Sequence, residues 1–389
     1  MNIEAVFFCN YSIGTDTWKE VPFVCGLYGK RILLIGGKKA LRAGKERLVQ
    51  AIAGTGMELV DTVVFGEDCT YENIHRWAAY AKEKQVDMIF GMGGGKALDT
   101  AKGAGYEAGL PVFTFPTIAA TCAATTALSV VYKENGTFDS FYFYERPARH
   151  CFIDLEVIAK APARYLQAGM GDTLGKYFEC HFAARGDQLE HSSALGREIS
   201  NMCYTPLMEY GVQAWKDCKE DKVSTALKQA VLANIVSTGL VSLVVLDEYN
   251  CAIAHSVCYG LDVLPGFEES YLHGNVVAYG VLVQLAVDGQ LDEARKLKRF
   301  LQKLEIATTL CEMQVLLERL ILAPVLKETV EGPDMEHIPY GKYGKLKWYA
   351  VLYRTGIQFY PAVFDGLWNH GVPRCAAAPG STAAVSCTG

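Results

Sequence analysis

Three short stretches place metal-binding residue types in apolar surroundings: Gly171-Asp172-Thr173-Leu174, Ala254-His255-Ser256-Val257 and Leu272-His273-Gly274. A polar group buried without a partner is costly, so each of these side chains needs one. A single histidine in such a place is ordinarily satisfied within the core. Two imidazoles with a carboxylate suit Zn²⁺ or Fe²⁺, and three protein ligands leave one coordination position open, which is the catalytic arrangement. An ion with an open position can act as a Lewis acid on a bound oxygen.

A second stretch can hold phosphate. Val86 to Phe90 predicts a short buried strand that runs into Gly91-Met92-Gly93-Gly94-Gly95-Lys96. Beyond it Leu98, Ala101, Ala104 and Ala108 recur at helical spacing, so a helix starts at or near Lys96. Glycines between a strand and a helix expose backbone N–H groups at the positive end of the helix and let an anion approach the main chain. A tight turn also uses glycine, but three in succession exceed what a turn requires. The stretch is not a P-loop, which needs glycine at Phe90 and Ser or Thr at Ala97. It is not the dinucleotide G-x-G-x-x-G pattern either, because Lys96 stands at the third glycine.

The elements that must carry these stretches alternate. Strands are predicted at Arg31–Gly36, Leu59–Phe65 and Pro111–Phe115 around the one at residue 86, and helices at about 40–52, 71–84 and after Lys96. That alternation implies an α/β domain with a parallel sheet, ligands binding beyond the carboxyl ends of its strands. Ala127–Lys133 and Phe138–Tyr144, joined through Asn135-Gly136, predict an added hairpin. From Ala161 to about Leu326 the period is mostly helical, which places a boundary near 156–163 and an active site in the cleft between the halves. The expected domains are residues 1–158, 159–340 and an atypical tail at 341–389.

At 389 residues the chain can bury a substantial core, and its net charge of −6 with no basic stripe argues against a nucleic-acid partner. Residues 1–9 lack the features of a signal peptide. The most apolar run, Ala230–Leu246, is short for a membrane span and contains Asn234, Ser237 and Thr238, so a buried helix is expected. Thirteen cysteines without a C-x-x-C pair imply reduced thiols, and the expected location is cytoplasmic.

Gly93-Gly94-Gly95-Lys96-x-x-Asp99-Thr100-Ala101-Lys102 resembles the pyrophosphate motif of metal-dependent (iron/zinc-type) alcohol dehydrogenases of the glycerol dehydrogenase kind. Pro116 to Cys122, Ala127 to Tyr132, Gly169 to Leu174, Ala254 to Gly260 and Leu272 to Gly280 resemble the same family in the right order, over roughly residues 10–340. The resemblance implies a Rossmann-like nucleotide domain followed by an all-helical domain, a dehydroquinate synthase-like architecture with one metal in the cleft. It implies Asp172, His255 and His273 as ligands and Gly94, Gly95 and Lys96 at the pyrophosphate. Asp99 falls in the same cofactor motif, while Thr117, Thr126, Leu128 and Tyr132 would line the adenine and nicotinamide sites. A homo-oligomer acting on a small molecule, without a membrane partner, is expected.

The departures bear on substrate. Four-ligand iron enzymes place histidine four residues after the aspartate, where this chain has Lys176; the three-ligand branch usually takes zinc. Glycerol dehydrogenases carry a polyol-contacting aspartate where this chain has Cys122, and a thiol cannot accept two hydroxyl bonds as a carboxylate does. Thr121-Cys122-Ala123-Ala124 looks closer to the hydroxycarboxylate dehydrogenase branch, so a 2-hydroxy acid/2-oxo acid couple is expected. Lys176 would attract the substrate carboxylate, or else form a surface ion pair with Glu179. NAD-specific relatives place an acid after the first strand; Gly37-Lys38-Lys39 here favours the 2′-phosphate of NADP(H) over NAD(H), unless both lysines merely face solvent. Tyr132 and Lys176 are the groups considered for the proton relay, which the sequence does not assign. Glycerol dehydrogenase and a metal- and NAD-using cyclase are the alternatives. After Tyr340 the chain loses its helical period and ends in small residues, so a shifted reading frame, an appended segment and a divergent terminus stay open.

Overall fold

The computed structural model describes residues 5–316 and 319–338. The expectations about the tail at 341–389 lie outside them.

Among the described residues, eight strands and six helices alternate with few exceptions up to Ala183: β1 Asn10–Gly14, α1 Val21–Cys25, β2 Arg31–Gly36, α2 Lys38–Ile52, β3 Glu58–Val64, α3 Tyr71–Glu83, β4 Met88–Gly93, α4 Gly95–Ala108, β5 Val112–Pro116, β6 Leu128–Tyr132, β7 Phe138–Phe143, β8 His150–Asp154, α5 Leu155–Ala159 and α6 Ala163–Ala183, with one 3-10 turn at Thr17–Glu20. Among the described residues, every regular element after Asp154 is helical. These continue as α7 His191–Ile199, α8 Asn201–Lys219, α9 Thr225–Val231, a π-helical stretch Leu232–Ser237, α10 Thr238–Val244, α11 Ile253–Asp262, α12 Phe267–Ser270, α13 His273–Val287, α14 Leu291–Lys303 and α15 Arg319–Glu331.

Six strands form one sheet in the order β1-β8-β5-β4-β2-β3, every pair parallel. β2 and β4 are buried along almost their whole length, as strands covered on both faces must be. On one face Phe90, Phe115, Phe152 and Trp18 stack, with Phe115 and Phe152 centroids 5.0 Å apart. On the other, α4 lies so close that a Cβ on Gly91 would sit 2.7 Å from the Cβ of Ala101. The strand order reverses between β2 and β4, so Gly37 and Gly93 end neighbouring strands there; the Gly37 N–H bonds the Met92 carbonyl at 3.2 Å. That reversal is where open α/β sheets bind nucleotides.

The hairpin is present as β6 paired antiparallel with β7. β1 and β8 were not expected from the sequence; β8 is a five-residue buried strand whose Asp154 caps α5 and receives Arg47 at 2.9 Å. The apolar run is buried helix, as expected, but it is longer than expected. The helical run spans Thr225–Val244, 20 residues, so it is long and apolar enough to cross a membrane, although 61 % of its apolar window is buried among the other helices. Among the described residues ten cysteines are free thiols, and Cys311, against expectation, is disulfide-bonded.

Candidate metal centre and nucleotide cleft

Asp172 sits in the middle of α6, His255 in the first turn of α11 and His273 at the first position of α13. Glycine brings these helices together. A Cβ on Gly171 would lie 2.1 Å from the Gly274 carbonyl oxygen, and one on Gly274 would lie 1.9 Å from that of Ala168. α6 and α13 therefore touch through their backbones beside both ligands. A Cβ on Gly280 would meet the Ala254 oxygen at 2.3 Å, so α11 and α13 touch in the same way.

The crossing places Asp172 Oδ1 3.5 Å from His255 Nε2 and 3.8 Å from His273 Nε2. One ligand atom from each residue lies within 4.8 Å of the others. Ligand bonds of about 2.0–2.1 Å at tetrahedral angles separate donor atoms by roughly 3.4 Å, close to what is seen. The His255 side chain is 7 % exposed and that of His273 41 %, so the trio is closed on one side and open on the other.

Glu179, two turns beyond Asp172 and fully buried, lies 2.5 Å from His255 Nδ1 and accepts the backbone N–H groups of Ala252 and His255. Burial presses its carboxyl upward, but His255 and the two N–H groups outweigh this and hold it below the usual range. Burial opposes charge on His255 as well, yet Cys251, Glu179 and Asp172 raise it well above an ordinary histidine. The field between the two carboxylates thus favours a positive charge, which is what a divalent ion needs. With two imidazoles and a carboxylate facing one point, the residues present fit a metal.

At the other side of the cleft, Gly94 caps α4 in an extended conformation and no side chain caps the helix. Its first N–H groups are left for an anion. A Cβ on Gly94 would strike Ile118 Cδ1 at 2.7 Å, and one on Gly95 would crowd Thr121 Oγ1 at 3.3 Å. The turn is a cradle that side chains would fill. Across the cleft, Asn234 in the π-helical stretch donates to the Ala119 and Leu166 carbonyls at 2.9 and 3.2 Å, and Thr125 Oγ1 donates to the Ile235 carbonyl at 2.6 Å. These bonds tie the loop after β5 to the helices, and a π stretch at such a place is a common mark of function.

Residues 10–154 match the family model described as iron-containing alcohol dehydrogenase. The chain is 38 % identical over 262 residues to a glycerol dehydrogenase of Thermotoga maritima, covering 65 % of this chain and 70 % of that one. It is 34 % identical to hydroxycarboxylate dehydrogenase A of Escherichia coli, over 73 % of this chain and 78 % of that one. In three dimensions it matches a probable glycerol dehydrogenase from Sinorhizobium meliloti with a TM-score of 0.79, 25 % identity, and coverage of 91 % and 99 %. The chain belongs to the iron-containing alcohol dehydrogenase family. It is an oxidoreductase acting on CH–OH groups, a metal-dependent polyol or alcohol dehydrogenase that works with a nicotinamide nucleotide.

Within this dehydrogenase the remaining expected residues are distributed unevenly. Thr117 lies at the end of β5 and its N–H bonds the Gly93 carbonyl at 3.0 Å, beside the glycine turn. Lys38 and Lys39 are exposed at the start of α2, next to the same turn. The Lys96 ammonium does not stand over the turn: it pairs with Asp68 and lies 4.6 Å from the centroid of the Tyr132 ring. Asp99 is a correction. It is buried on the hairpin side of α4, paired with Lys102 at 2.9 Å and accepting the Val130 N–H at 3.1 Å, so its carboxylate fastens the hairpin rather than a cofactor. Lys102 also donates to Thr126 Oγ1 at 3.2 Å and to the Leu128 carbonyl at 2.5 Å, which engages those two groups in the same network.

Lys176 departs from one of its two readings, the surface ion pair with Glu179. It is buried, not on the surface, and Glu179 is taken by His255. Its Nζ donates to the Asn250 carbonyl at 2.9 Å and to Asn250 Oδ1 at 3.1 Å. Burial opposes its charge, but Cys251, Cys122 and Asp172 nearby outweigh it and raise its pKa. Cys122 in turn is pushed up to about 11, mainly by burial and then by Asp172. The sequence reading missed Glu179 as a partner of His255. Its signal was available: an acid seven residues after Asp172, in an apolar helix, falls on the same face.

Proposed function

We propose that this dehydrogenase interconverts a small 2-hydroxy acid and its 2-oxo acid, with NADP(H) and a zinc ion. The observation that carries the substrate class is Lys176, an ammonium beside Cys122 and Asp172 with two of its three N–H groups on Asn250. The third is available for a substrate carboxylate. Cys122 supports the same class, because a thiol there offers no acceptor pair for a polyol. The similarity to hydroxycarboxylate dehydrogenase A agrees with it. The similarity to glycerol dehydrogenases favours a polyol as the second reading. Lys38 and Lys39, with no acid at Gly37, support a 2′-phosphate.

When bound, the ion supplies Lewis acidity at the substrate oxygen and the nicotinamide supplies the hydride chemistry. Asp172, His255 and His273 would hold the former, and the α4 N-terminus with Gly94 and Gly95 would seat the diphosphate of the latter. Glu179 holds the His255 Nδ1 proton and so leaves Nε2 facing Asp172. Lys176 fixes the far end of the substrate by charge.

The test is a panel of 2-oxo acids, dihydroxyacetone and glycerol assayed with both nicotinamide nucleotides. The expected result is higher kcat/KM for 2-oxo acids and for NADPH. Lys176→Met should raise KM for 2-oxo acids by about 10-fold or more, the worth of a charge-assisted bond, and leave neutral carbonyls nearly unchanged. Equal loss on both substrate classes, or preference for glycerol in the native protein, returns the function to polyol oxidation.

A further inference from the structure

The two histidines of the trio are supported differently. His255 has a buried carboxylate on Nδ1, 2.5 Å away. His273 has a thiol: Cys258 Sγ lies 3.4 Å from its Nδ1. Cys258 is on α11, one turn beyond His255, and is wholly buried. On its other side the sulfur lies 3.8 Å from Asp262 Oδ2, one further turn along the same helix. The His273 carbonyl, at 3.9 Å, is the longer of its oxygen contacts.

We propose that Asp262 and Cys258 form a positioning chain that holds the His273 ring, a thiol relay in place of the direct carboxylate behind His255. A thiol carries one proton and can also accept one. Donation of S–H to the Asp262 carboxylate leaves the sulfur lone pairs to accept the proton on His273 Nδ1. That fixes the tautomer, with the Nε2 lone pair facing Asp172, and restrains a ring whose side chain is 41 % exposed. Partners behind metal-bound imidazoles set ring orientation and ligand basicity, and their loss weakens metal binding by about 10–100-fold. A thiol accepts more weakly than a carboxylate, so the low end of that range applies here. His273 is on this account the more adjustable of the two imidazoles. The inference rests on the trio being the metal ligands.

The experiment titrates the metal-free full-length protein with Zn²⁺ against a chromophoric chelator and compares Kd values. Cys258→Ala should bind about 10-fold more weakly than the native chain. Cys258→Ser, which keeps a donor and an acceptor, should recover most of that loss. Asp262→Asn leaves the thiol and the packing in place and should weaken binding several-fold, so it decides the matter if the alanine variant does not fold. His273→Ala should lose far more affinity than any of these. Native affinity in Cys258→Ala or in Asp262→Asn overturns the chain, as does a serine variant no better than alanine, which would make the sulfur only a space-filler. Native affinity in His273→Ala overturns the ligand assignment itself, so the two failures are told apart.

Discussion

What a side chain does in this cleft is decided by what stands behind it. Asp172 and His255 would be an ordinary buried pair without Glu179, whose carboxylate holds one imidazole nitrogen and whose second oxygen is held by two N–H groups at the start of α11. Glu179→Gln keeps the shape and removes the charge. It should weaken metal binding by about 10–100-fold, measured by chelator competition, and cost about 1–3 kcal/mol of stability because an amide cannot satisfy all the same donors. Unchanged affinity would mean that Glu179 serves only to anchor α11. Ligand types and spacing made Asp172, His255 and His273 legible in the sequence. Glu179 was legible as an acid on the Asp172 face, but its partner His255, Cys258 and the partner of Lys176 were not, because each acts through a contact set by helix crossings: Asn250 is 74 residues from Lys176.

At the scale of elements, close contact is the design. α6 and α13 meet backbone to backbone at Gly171 and Gly274, and α11 meets α13 at Gly280. An added methyl group at Gly274 must spread α6 from α13, since the Ala168 oxygen it meets belongs to the backbone and cannot rotate away. Gly274→Ala should lower stability by about 1–3 kcal/mol and reduce metal content, because the same displacement separates Asp172 from His273. Gly14→Ala is the control: nothing lies within 4 Å of a Cβ there, and its effect should stay within about 0.5 kcal/mol. Thermal melts with metal analysis check both. The sequence announced that glycines surround the ligands, but not which helix each one admits.

At the scale of the molecule, two chemistries face one another because two kinds of order are joined. A parallel sheet puts the glycine turn at its strand reversal, and helical crossings put the trio opposite it. Periodicity revealed the central strands and the helical half, since both patterns are local. It missed β1 and β8, which are five residues each and gain their place from sheet partners distant in the chain. It also misjudged Asp99, whose motif position pointed to the cofactor while Lys102 and the hairpin claim its carboxylate. What unites the account is one ion held by Asp172, His255 and His273. The most direct measurement is the metal content of purified native protein beside Asp172→Ala, His255→Ala and His273→Ala, each shown to be folded. The account predicts one divalent ion per native chain and a loss of that ion in all three variants; a full complement of metal in any one of them would contradict it.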